Sequence, residues 1–167
     1  PNYVTAHHWY AEHLAFQGRF DEALAEIDRA RQLDPLSLII ATDTGAILFF
    51  ARQYDRAIEQ FRAVLAGEPT FGRASLIAFA YVEKGQLAEA LAHVDTWIKH
   101  EDGPWPWAYR AYIYGRAGRM ADAQRALQKL QQTNHAVYLP PLYATAYVGM
   151  GRRDEALAHW RDVLEHE

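Results

Sequence analysis

The chain repeats itself every 33 or 34 residues, and this limits it to a narrow set of folds. Alanines at Ala23, Ala57, Ala90, Ala123 and Ala156 step by 34, 33, 33 and 33 positions. A second column of small residues, Ala11, Gly45, Ala78, Ala111 and Ala144, keeps the same steps. Two separate columns on one period mean that one structural unit is written five times. A unit this short cannot bury an apolar face alone, so neighbouring copies must stack to complete a core.

The spacing inside each repeat is helical. Leu14, Leu48, Tyr81, Tyr114 and Tyr147 follow the second column by three residues. Ile27, Phe61, Val94, Leu127 and Trp160 lie four after the alanine anchor, and Ala30, Val64, Trp97, Leu130 and Val163 lie three further on. Steps of three and four put such side chains on one helical face, so each repeat holds two amphipathic helices. Gly18, Gly85, Gly118 and Gly151 fall between the two helices, where a helix C-terminus favours a left-handed residue. Pro35 and Pro69 close the first two repeats, because proline cannot continue a helix interior. The expected fold is all-α: a superhelical solenoid of about five helical hairpins, spanning about 4–36, 37–70, 71–103, 104–136 and 137–167 as one array.

These columns resemble the tetratricopeptide repeat, a helix pair of about 34 residues. The resemblance covers nearly the whole chain and departs in places. The aromatic ahead of the anchor, Phe20 and Tyr54, becomes Leu87, Met120 and Arg153. The stretch QQTNHAVYLPP (131–141) loosens the end of the fourth repeat. The chain opens on Pro1 and ends abruptly at Glu167, and it reads as a piece of something longer.

Composition excludes several function classes. There is no cysteine, so no disulfide framework and no thiolate nucleophile. Serine occurs only at Ser37 and Ser75, neither in a GxSxG turn, and the glycines follow the repeat rather than a phosphate loop. His7, His8 and His13 are spaced by one, five and six, and His93 and His100 by seven. None has the i, i+4 spacing of a helical metal pair. No catalytic residue, cofactor or metal is therefore expected. A net charge of −4 argues against nucleic-acid binding by this segment. No apolar run approaches the roughly 20 residues of a membrane span, and no signal-peptide pattern opens the chain, so a cytoplasmic location is expected.

The resemblance implies a site. In this family the first helix of each repeat lines a concave face that holds a peptide. Carried over, the positions that would form such a face are His8, Glu12 and Phe16, then Ile39, Phe49 and Phe50, then Phe79 and Val82, then Trp105, Tyr112 and Arg116, and finally Tyr138. The set is apolar and aromatic. It lacks the Lys and Asn set with which some family members clamp a C-terminal carboxylate, with His8 and Glu12 standing where the first of those would be. Glu22, Glu89, Asp122 and Glu155, beside the anchors, read as solvated surface. The runs WYAEHL, GRFDEAL, LDPLSL and ARQYDRAIEQ are similar to the C-terminal arrays of bacterial winged-helix transcriptional regulators and of some bacterial protein kinases. That implies a sensory or interaction region whose partner is a protein or peptide, another domain of the same chain, or a second copy forming a homodimer. An oligomerisation segment with no peptide ligand is the alternative.

Overall fold

The structure is a computed structural model and describes residues 3–133 and 139–165. Among them are ten α-helices, one 3₁₀ turn and no strand. The helices are α1 (Val4–Phe16), α2 (Phe20–Leu33), α3 (Leu38–Phe50), α4 (Tyr54–Gly67), α5 (Ile77–Glu83), α6 (Leu87–His100), α7 (Pro104–Arg116), α8 (Met120–Gln132), α9 (Pro140–Gly149) and α10 (Arg153–Glu165). The 3₁₀ turn, Gly72–Leu76, leads into α5. A full first helix was expected in this third repeat. Gly72 and Ser75 are weak helix formers, and the chain winds into α-helix only past them. Residues 1–84 and 85–167 form two compact units.

The repeat columns are the core. Every anchor alanine is at most 3% exposed, and the second small column is buried throughout. Ile27, Phe61, Val94 and Leu127 fill the space four residues after the anchor. Gly45 shows why the second column is small: a Cβ there would sit 2.7 Å from the Phe61 ring. The fifth member of the large column departs from the pattern. Trp160 is exposed, while α10 meets α9 through His159, whose ring stacks on Tyr143 and Tyr147 at 5.1 and 5.5 Å. The side chain of Val163 lies outside the described residues.

In the first unit α1 pairs with α2 and α3 with α4, and α2 also packs on α3. Helix α3 (LIIATDTGAILFF) is apolar nearly all round and largely buried. Its threonines are satisfied internally: the Thr42 and Thr44 hydroxyls donate to the Leu38 and Ile40 carbonyls at 2.7 and 2.8 Å. The Ser37 hydroxyl accepts from the Ile40 N–H at its start. In the second unit α7 packs on both α8 and α9, and α9 on α10. Pro104 and Pro140 open α7 and α9 at positions where a missing N–H costs no helical bond.

The turn inside each hairpin is built one way. Gly18, Gly85, Gly118 and Gly151 take left-handed φ values of 71–75°. In the second repeat the same position holds Arg52, at φ 59°. An arginine follows the glycine in three turns, immediately before the next helix, and pairs with an acid three residues on: Arg19 with Glu22, Arg119 with Asp122 and Arg152 with Glu155, at 2.6–2.8 Å. Each of these acids is held below the usual carboxylate range, first by the arginine's hydrogen bond. Two of the arginines also lie over a tyrosine in the last turn of the previous helix, Arg119 at 4.5 Å from Tyr114 and Arg152 at 4.8 Å from Tyr147.

Candidate interaction surface

The faces of the first helices are the candidate surface, and the two units present different ones. In the first unit a cleft of about 340 Å³ opens between α1 and α3. Its walls are Ala15, Phe16, Phe20, Ala46, Ile47 and Phe50, and Glu12 and Asp43 supply its only carboxylates. Helical spacing explains the lining. Glu12, Ala15 and Phe16 are three and four apart on α1, as are Asp43, Ala46, Ile47 and Phe50 on α3. Phe16 is 88% exposed and Phe50 54%. Large rings left in water on one face are the usual mark of a contact surface.

A polar network borders the cleft. His8 Nε2 donates to Asp43 Oδ2 at 2.7 Å, and Arg73 Nη2 lies 2.9 Å from both Asp43 oxygens. The buried Asp43 carboxylate thus ties α1, α3 and the 3₁₀ turn together, and its charge is matched by Arg73. Glu12 is placed differently. His8 Nε2 stands 3.9 Å from Glu12 Oε1, too far to hydrogen-bond it, and the Glu12 carboxylate is open to solvent. Ligand atoms of His8, Glu12 and Asp43 lie within 4.8 Å of one another. Arg73 occupies both oxygens of Asp43, so that carboxylate is already taken by a guanidinium and is not offered to a metal ion. The arrangement is an ion-pair network rather than a metal cradle.

In the second unit the corresponding helices close on each other. A Cβ on Gly149 would lie 2.3 Å from Tyr112 Cα, and one on Gly115 would lie 2.5 Å from the Gly149 carbonyl. Backbone meets backbone, so α7 and α9 leave no cleft at this crossing. Around it Arg116 donates to the Tyr112 hydroxyl at 3.0 Å, with its guanidinium 5.8 Å from that ring. Nearer the start of α7 Trp105 is 46% exposed. Trp107 donates its indole N–H to Asp102, and Arg110 lies over its ring while pairing with Asp95 on α6. Trp97 donates to Glu101.

The residues expected on a concave face therefore divide. Glu12, Phe16 and Phe50 share the α1–α3 cleft, with His8 beside it. Ile39 is exposed and lines an adjoining hollow with His8 and Arg73. Phe49 packs edge-on to Phe50 and against Tyr54 instead of entering the cleft. Phe79 is half-buried. Val82 and Tyr112 are buried at 5% and 7% exposure, because their helical faces turn into packing. Trp105 and Arg116 are exposed, and Tyr138 lies outside the described residues. Asp43, Phe20 and Arg73 were not anticipated. A lone carboxylate within LIIATDTGAILFF was the available signal for Asp43, since an acid in an apolar helix must find a partner.

No helix among the described residues is long and apolar enough to cross a membrane. Comparison with known proteins agrees with this architecture. Sequence profiles described as tetratricopeptide repeat match residues 48–111, and residues 4–29 and 142–162, together well over half of the chain. No curated protein matches. The thermophilic tetratricopeptide repeat protein TTC0263 of Thermus thermophilus superposes with a TM-score of 0.76 at 22% identity, covering 98% of this chain and 91% of its own. MamA (41-end) of Desulfovibrio magneticus gives 0.65 at 16% identity, covering 97% and 93%. Both are similar in fold. With its repeat columns buried, its hairpins turned on left-handed residues and its sequence matched by these profiles, the chain belongs to the tetratricopeptide repeat family.

Proposed function

We propose that this chain is a non-catalytic scaffold that binds a segment of a protein partner on its first-helix faces, chiefly in the α1–α3 cleft. The observation that carries this reading is the pair of exposed rings, Phe16 and Phe50, flanking an apolar cleft. Aromatic residues that desolvate fully in a complex dominate interface energetics. The motifs of the first two repeats favour a place in a bacterial regulator, as its sensory or interaction region. Selection of displayed peptides on the chain, repeated on a Phe16→Ala, Phe50→Glu variant that keeps its helical CD, tests the reading. Peptides enriched on the parent and lost on the variant support it. Equal enrichment on both places any binding elsewhere and refutes it.

A second reading, self-association, has its own observation. Trp9 and Tyr10 on α1, and Trp160 on α10, are exposed without a covering helix among the described residues. Sedimentation equilibrium from micromolar to millimolar concentration decides it. A strictly monomeric chain removes this reading.

A further inference from the structure

The scaffold reading leaves the partner's chemistry open, and the cleft itself narrows it. The walls Phe16, Phe20, Ala46 and Phe50 are apolar, and the two carboxylates lie on one side, with oxygens within 4.8 Å of each other. Asp43 is already matched by Arg73 and His8. Glu12 stands 3.9 Å from His8, beyond hydrogen-bonding reach, and its partly exposed carboxylate at the lip keeps its acceptor capacity for an occupant. An occupant that is apolar throughout would strip water from Glu12 and return nothing, which is costly for a charge. An acidic occupant would meet like charge. A side chain with an aliphatic stem and a cationic head satisfies both halves: the stem covers the rings, and the head meets Glu12. Phenylalanine faces add their own attraction for a cation. The volume, about 340 Å³, suits a large side chain and its neighbours and is too small for a whole helix.

Resting on the scaffold reading, we propose that the α1–α3 cleft receives a basic side chain of an extended partner segment, its stem on Phe16, Phe20 and Phe50 and its charge paired with Glu12.

A random peptide library displayed against the full chain supplies the probe. The most enriched peptide is then synthesised twice, once as selected and once with its basic residue replaced by a neutral counterpart (citrulline for arginine, norleucine for lysine). Both are titrated against the parent chain and against Glu12→Gln. This variant keeps size and helix propensity, and CD checks its fold. The expected result is enrichment of a basic residue beside a large apolar one. Neutralising the peptide should raise Kd about tenfold on the parent and leave it nearly unchanged on Glu12→Gln. Peptides that are lost on Phe16→Ala, Phe50→Glu yet carry no basic residue, or whose charge is indifferent to Glu12, overturn this proposal and leave the scaffold reading standing. Peptides lost only on Trp105→Glu move binding to the second unit and overturn it as well. No enrichment at all removes both readings.

Discussion

Arg52 and Gly149 each sit where the backbone dictates the residue, with opposite outcomes. Arg52 holds a left-handed φ of 59° that four sister positions give to glycine. A side chain in that region costs roughly 1–2 kcal/mol, and glycine's extra freedom in the unfolded chain returns part of the gain. Arg52→Gly should therefore stabilise the chain by about 0.5–1 kcal/mol, measured as a higher urea midpoint with unchanged slope. Gly149→Ala should do the reverse. Its Cβ would meet Tyr112 Cα at 2.3 Å, and backbone cannot swing aside, so a loss of about 3 kcal/mol or more is expected in the same assay. The two positions were not equally readable. The glycine column announced the turns, but a positive φ tolerates other residues, so Arg52 did not stand out. Gly149 and Gly115 look like open groove positions in the repeat pattern. How deeply a neighbouring helix enters depends on the crossing geometry, which a period does not encode.

The first-helix faces and the hairpin turns act at the scale of elements. Phe16 and Phe50 lie on solvent-facing sides of α1 and α3, so Phe16→Ala should change stability by no more than about 0.5 kcal/mol. Tyr112, at the crossing of α7 and α9, should cost about 3 kcal/mol on truncation to Ala. Thermal melts of the two variants distinguish surface from packing directly. The period showed that both residues lie on first-helix faces. It could not separate them, because the tight crossing is made by glycines on one pair of helices and not the other. The hairpin turns carry a pH signature. Glu22, Asp122 and Glu155 have depressed pKa values in the folded chain, so their contribution is present above the ordinary carboxylate pKa and is lost as pH falls through the folded values. Between about pH 5 and 3 the melting temperature should fall, and fall less in a Glu22→Gln, Asp122→Asn, Glu155→Gln variant. The difference should shrink at high salt, since all three pairs are exposed. His93, which burial holds below the ordinary imidazole value, adds an acid sensitivity at higher pH that this variant leaves untouched.

At the scale of the molecule, the sequence declared its architecture through redundancy: five alanines on one period, all now buried, required stacked hairpins whatever the loops between them did. The candidate site had no such redundancy. The cleft and the network beside it depend on Asp43 and Arg73, which come from different repeats and belong to no column, and on Phe20, whose column keeps its aromatic only as far as Tyr54. Only the folded first unit brings them beside Glu12 and Phe50. The family's scaffold role follows from the repeated part, and any specificity for a partner comes from what differs between the copies.

The tryptophans make the molecule its own instrument. Trp9 alone falls in residues 1–84, whereas Trp97, Trp105, Trp107 and Trp160 fall in residues 85–167. Indole emission is thus weighted towards one half of the chain, while far-UV ellipticity samples helices in both. Coincident urea transitions by the two signals would mean that the halves melt as one cooperative body, and a fluorescence midpoint displaced from the ellipticity midpoint would time their separate collapse. A Trp9→Phe chain would darken the first half altogether, turning intrinsic fluorescence into a label for the second without any added dye.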